Sequence, residues 1–137
     1  MATGIEGILL LLGRILFGGV IAFTGLNHFM QTDQMAGYAQ HKGLPAPKVG
    51  VLASGVVLVL GGLSVVAGVF PVLGSLVVAV FLVVAALIFH YFWAVPEDQQ
   101  QTEMTQFLKN AALAGGALVI AAFGTRNWAY SLDLGLF

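Results

Sequence analysis

The sequence contains no cysteine, which removes disulfides, thiol nucleophiles, iron–sulfur clusters and cysteine-ligated zinc from the chemistry open to it. Charge is scarce too. Only 8% of the 137 residues are Asp, Glu, Lys or Arg, and the formal net charge is -1, whereas soluble domains carry about 25% charged residues. With no basic block, there is no electrostatic footprint for nucleic acid and no polybasic patch for lipid head groups.

Apolar residues are what the chain has in abundance, at 59% of the total. A water-soluble fold of this length needs far more polar surface, so the lipid bilayer is the expected solvent for most of it. Runs of roughly 20 apolar residues can cross a ~30 Å hydrocarbon core as helices. Four are present, at about residues 5–28, 49–69, 72–93 and 106–124. None alternates with period two, and backbone groups in lipid need partners within their own segment, so helices fit and barrel strands do not. The expected fold is all-α, an integral membrane four-helix bundle forming a single transmembrane domain over 1–137. The N-terminus makes a poor cleavable signal, with Glu6 where positive charge belongs and Arg14 inside the apolar run, and is read as the first membrane helix.

The connectors differ in kind. VFPVLG around Pro71 leaves room only for a tight turn, so the second and third spans form an antiparallel hairpin. In the first connector, Met35, Tyr38 and Ala39 recur at helical spacing, and Gly43 followed by Pro45 supplies a stop. That predicts a short amphipathic helix lying on the membrane surface. In the third connector, Pro96, Glu97 and Asp98 suit the first turn of a helix. The fourth helix is therefore expected to begin in the interface, before its hydrophobic part. Small residues such as Gly18, Gly25, Ser54, Gly61, Ser75, Ala79 and Gly116 mark the faces where helices can approach closely.

An even number of crossings puts both termini on one side and the first and third connectors on the other. His28 at the end of the first span, His90 near the end of the third, and Lys109 with Asn110 early in the fourth then lie at similar depth. Asn27, Tyr91, Trp93 and Glu103 join that zone. Arg14 lies in the opposite half of the first helix but shares a face with Gly18, Ile21, Gly25 and His28. A charge inside a span calls for a partner, a cavity or the interface; the plain alternative for Arg14 and Lys109 is snorkelling to head groups. Two imidazoles can ligate haem iron, hold a metal or hydrogen-bond a quinone carbonyl. The absence of any local ligand motif disfavours metal and haem and leaves a polar small-molecule pocket against a pair of interfacial histidines. Tyr91 with Trp93, and Trp128 with Tyr130, are expected as two aromatic belts. Lys and Arg divide three to two between the sides and set no orientation.

The elements GRILFGG, FTGLNHF, GLPAPK, SGVVLVLGGLSVVAG and HYFWAVPEDQQQTEMTQFLKNAALAGG together resemble the DoxX family of small four-helix membrane proteins. The similarity runs over nearly the whole chain and is most specific from His90 to Gly116. It implies a multi-pass protein of a prokaryotic cytoplasmic membrane. The family takes its name from a subunit associated with a thiosulfate:quinone oxidoreductase, and other members are linked to oxidative-stress complexes. Its recurrent polar positions fall on Arg14, His28, His90, Lys109 and Asn110, implying a binding site for a cofactor, with quinone the candidate. Many members carry an acid in the second helix where SGVVLVLGG has Leu58.

The function implied is an accessory or docking subunit of a membrane redox system, holding quinone or lipid near His28, His90 and Lys109. One alternative is direct participation in quinone-linked oxidation of a small sulfur compound. Another is a small transporter or channel. The sequence offers no nucleophile, cofactor fingerprint or acid–base pair, so catalytic residues are not assigned. Expected partners are the lipid bilayer, a membrane or soluble redox protein, and further copies of the chain as a homo-oligomer.

Overall fold

The structure, a computed structural model, describes residues 4–135; the remaining ends of the expected 1–137 span lie outside the described residues. The elements are α1 (Gly4–Met30), α2 (Thr32–His41), α3 (Pro47–Ala67), α4 (Pro71–Phe89) and α5 (Glu97–Phe123), with a 3-10 turn at Phe92–Ala94. Four of them, α1, α3, α4 with the 3-10 turn, and α5, are long and apolar enough to cross a membrane. The protein is an all-α membrane bundle, and α2 is the short helix expected in the first connector.

Local sequence sets the element ends. Pro47 and Pro71 occupy the first turns of α3 and α4, where a missing N–H costs nothing. Gly68, at φ +71°, closes α3 in the left-handed region, as glycine does without steric cost. Glu97 and Asp98 open α5, complementing its positive end. The one displaced boundary is the end of α4, which stops at Phe89 rather than running to 93. His90 leaves helical geometry, and Val95 is extended before Pro96, as a residue preceding proline prefers.

Backbone approach drives the packing of α1 on α3. A Cβ placed on Gly25 would lie 2.7 Å from both Gly55 O and Val59 N, and one on Gly18 would lie 2.5 Å from Gly62 O. Without a hydrophobic incentive in lipid, such contact between glycine faces is how helices associate. Ile21, Leu58, Val78, Leu82, Ala114 and Ala117 form the central core. Helix α4 packs on both α3 and α5, and α2 lies on α3, whereas α1 and α5 share no extensive seam.

Beyond α5 the chain folds back across the α3–α4 turn. Leu132 N–H donates to Ala67 O (2.9 Å), Leu134 N–H to Gly68 O (3.1 Å) and Phe70 N–H to Leu134 O (2.7 Å). Arg14 fastens this strap from below. Its guanidinium donates to Val65 O (3.3 Å), Val66 O (2.7 Å), Ala129 O (2.8 Å) and Tyr130 O (3.1 Å), 5.0 Å from the Trp128 ring centre. Two of these are last-turn carbonyls of α3, which lack partners inside their own helix and lie at its negative end.

One of two readings of Arg14 is excluded here, and one expectation is corrected. Arg14 is 1% exposed and does not snorkel, because backbone carbonyls satisfy it within the protein. Trp128 is 2% exposed and is not part of a terminal-side belt. Its ring lies against Arg14, and its indole N–H donates to Phe123 O (2.9 Å). Tyr130, by contrast, is 71% exposed.

Candidate functional site

His28 is the last buried residue of α1. Its Nδ1 lies 3.1 Å from Val51 O and 2.9 Å from Ser54 Oγ, both on α3, and Ser54 Oγ itself donates to Val51 O (2.9 Å). A carbonyl oxygen only accepts, so Nδ1 carries the proton and the neutral ring keeps its lone pair on Nε2.

His90 follows directly on α4, and its Nδ1 lies 3.1 Å from Glu103 Oε2. The same oxygen is 3.4 Å from Lys42 Nζ, and the Tyr38 hydroxyl is 3.4 Å from both carboxylate oxygens. Lys42 Nζ lies 4.5 Å from the Tyr91 ring centre and 5.6 Å from that of Tyr38, within cation–π range. The Lys42 side chain keeps 5% of its surface exposed, which is tolerable for an ammonium only because it has a carboxylate and two ring faces. Burial, followed by the neighbouring Glu103 charge, pushes the Tyr38 phenol up to about 12.

Asn110 is buried on α5, with its amide N–H directed at Leu82 O (3.4 Å). Lys109 is exposed beside it and donates to Gln106 Oε1 (2.6 Å).

His28, His90, Lys109 and Asn110 all line one cavity of about 950 Å³, at the upper end of the usual range of ~300–1,000 Å³ for small-molecule sites. Thr24, Gln31, Gln34 and Ser54 add polar atoms at the connector end. Toward mid-membrane the walls are Leu16, Phe17, Val20, Leu58, Phe81 and Leu113. Leu16 and Val20 are 67% and 61% exposed, so the trench runs out onto the lipid-facing surface of α1, on the side where α1 and α5 do not close against each other. Phe17 approaches Gly116 there, 3.9 Å from a Cβ placed on it.

The structure thus brings four of the five sequence-chosen residues to one chamber and leaves Arg14 apart. Arg14 sits fourteen positions before His28, about 21 Å along α1, and is not among the lining residues. Among the described residues, no group of three or more His, Asp or Glu could hold a metal ion. Lys42 is the residue that the sequence left outside this zone, and Glu103, placed in it, was given no role as a site residue. The signal for Glu103 was present: Glu103, Asn110, Ala114, Ala117 and Ala121 form the buried face of α5, so an acid continues the inward stripe of small residues. Lys42 carried no such signal, since its partner is 61 residues away.

Comparison with known proteins agrees with this architecture. The chain is 28% identical over 126 residues to the inner membrane protein YphA of Escherichia coli (strain K12), covering 92% of this chain and 89% of that protein. No solved structure matches it. With four candidate spans and an inner-membrane relative, it is a multi-pass cytoplasmic-membrane protein. The DoxX family profile matches residues 9–91, well over half of the chain, and the protein therefore belongs to the DoxX family.

Proposed function

We propose that this protein is an accessory or docking subunit of a membrane redox system and that it holds an isoprenoid quinone in the connector-side cavity. The observation that carries the reading is the form of that cavity: a polar end built from His28, His90, Asn110 and Lys109, an apolar trench below it, and an exit into lipid beside Leu16 and Val20. From His28 back to Leu16 the trench follows α1 for about 18 Å. A quinone has that polarity, with two oxygens on a ring and a hydrocarbon tail that needs no water. The Asn110 amide and the Lys109 ammonium supply donors, while Leu58, Phe81 and Leu113 enclose apolar surface.

Electron transfer belongs to a partner chain in this reading, because the cavity offers no nucleophile and no electron-carrying group of its own. The redox association itself derives from the family resemblance. Direct oxidation of a small sulfur anion is less well supported: Arg14 spends its donors on four carbonyls, which leaves Lys109 as the one cation on the cavity wall among the described residues.

The test is gentle affinity isolation from native membranes, with the eluate analysed for co-isolated proteins and, after organic extraction, for quinones. We expect ubiquinone or menaquinone enriched over its share of the membrane and reduced by Asn110→Leu, together with a redox enzyme in stable proportion. Recovery of phospholipid alone, with quinone at its bulk share and no redox partner, overturns the reading.

A further inference from the structure

The two imidazoles in the cavity are held in the same sense. For His28, Val51 O and Ser54 Oγ both lie against Nδ1, and for His90 the Glu103 carboxylate lies against Nδ1. Each partner fixes the ring so that Nδ1 donates, and in the neutral ring Nε2 is then a lone pair without a proton. The nitrogen turned to the protein is satisfied. The other has no hydrogen-bond partner among the described residues, although His28 is only 7% exposed, and the cavity is the space each ring lines. At His90 the arrangement is held independently of any ligand, because Lys42 balances the carboxylate that accepts from the ring.

A bare Nε2 repels a carbonyl oxygen and binds a hydroxyl. A ligand seated between the rings covers both acceptors, His28 already buried and His90 partly so; a ligand that carries only acceptors leaves them unmatched, and unmatched polar atoms shut away from water are where hydrogen-bonding sites discriminate most strongly. An oxidised quinone presents two carbonyls. Its reduced form, the quinol, presents two hydroxyls.

We infer that the cavity is selective for a hydroxyl-bearing ring ligand, the quinol in preference to the quinone, with His28 and His90 accepting from its two hydroxyl groups through Nε2. Ser54 and Glu103 act as positioning residues that set the tautomer. The inference rests on the proposed quinone site and adds to it the oxidation state of the occupant. Preferential binding of the reduced form raises the potential of the bound couple, by about 30 mV for each tenfold in affinity of a two-electron pair. The site would therefore retain reduced carrier from the membrane pool.

Decylubiquinol, kept reduced under anaerobic conditions, and decylubiquinone are titrated separately into the intact protein in nanodiscs, with phosphatidylglycerol as a third arm because its head group also carries hydroxyls. We expect saturable binding of the quinol at least about tenfold tighter than of the quinone, equivalent to ~1.4 kcal/mol, with phosphatidylglycerol failing to displace it. His28→Gln, whose amide offers a donor as well as an acceptor, should reduce the ratio of quinol to quinone affinity. Nitrogen-15 spectra of the unaltered protein supply a readout that needs no variant, with His28 expected as the Nδ1–H tautomer before ligand is added. Equal affinities, a preference for the quinone, displacement by phosphatidylglycerol, or an Nε2–H tautomer at His28 each overturns the selectivity and leaves the quinone site standing. Failure of both decyl compounds to bind removes the site itself.

Discussion

Replacing Arg14 with Met should unfasten the C-terminal strap before it unfolds the bundle. The guanidinium makes four bonds to carbonyls, two on the last turn of α3 and two in the strap. Hydrogen bonds inside membrane proteins are worth ~0.6 kcal/mol each on average; opening the strap breaks only the two to Ala129 and Tyr130, about 1.2 kcal/mol, and stacking on Trp128 adds ~0.5–1 kcal/mol. Methionine fills similar volume and removes a buried charge, which offsets part of the loss. The strap bonds are the ones with least other support, so the effect concentrates there. At ~1.4 kcal/mol per tenfold, about 1.7–2.2 kcal/mol multiplies the open population roughly 15- to 40-fold. Arg126 is exposed just before the strap, so trypsin cleavage after it reports that population when opening is fast relative to cutting. Arg14→Met should release the 127–137 fragment tens of times faster in detergent, and Arg14→Lys, which keeps the charge but not the fork, should fall between. An unchanged cleavage rate in Arg14→Met would refute the clasp.

Two further expectations are independent of the ligand. Gly25→Ala should lower the thermal midpoint in detergent by an amount equivalent to ~1–3 kcal/mol, because its Cβ meets backbone atoms of α3 at 2.7 Å. Gly19→Ala, with nothing within 4 Å, should be neutral or slightly stabilising, and equal losses at the two positions would show that close backbone approach does not govern this interface. Absorbance titration of phenolate should place the step that disappears in Tyr38→Phe near 12 rather than near 10. A raised phenol favours the neutral form in the fold, so its contribution to stability is complete below pH 10 and is lost as pH climbs from 10 toward 12; a Tyr38 step at 10 would place the hydroxyl away from Glu103.

Much of the fold was legible because its signals are local. Apolar run lengths give the spans, Pro71 gives the hairpin, and the spacing of Met35, Tyr38 and Ala39 gives α2. Parity of crossings then suffices to bring His28, His90, Lys109 and Asn110 to one depth. What was not legible is long-range. The gap between α1 and α5 depends on which helices are neighbours, and no local pattern encodes that. Trp128 looked like a belt residue because amphipathic aromatics are common at interfaces, yet it is recruited by an arginine at the other end of the sequence. The missing acid at Leu58 has a structural counterpart: Leu58 is 1% exposed in the apolar core, packed beside Gly25, while Arg14 lies farther along α1 and bonds backbone carbonyls. The end of α4 was misplaced because the aromatic run Tyr91 to Trp93 carries neither charge, glycine nor proline to mark a stop, while the turn that interrupts it aims His90 at Glu103.

The clasp also has a schedule. Arg14 emerges from the ribosome 115 residues before Ala129, and at about 5–20 residues per second that interval lasts roughly 6–23 s. Throughout it the guanidinium lacks its strap carbonyls, so the first helix is made with an incompletely satisfied cation. A stop codon upstream of the strap would leave that cation buried without two of its four acceptors.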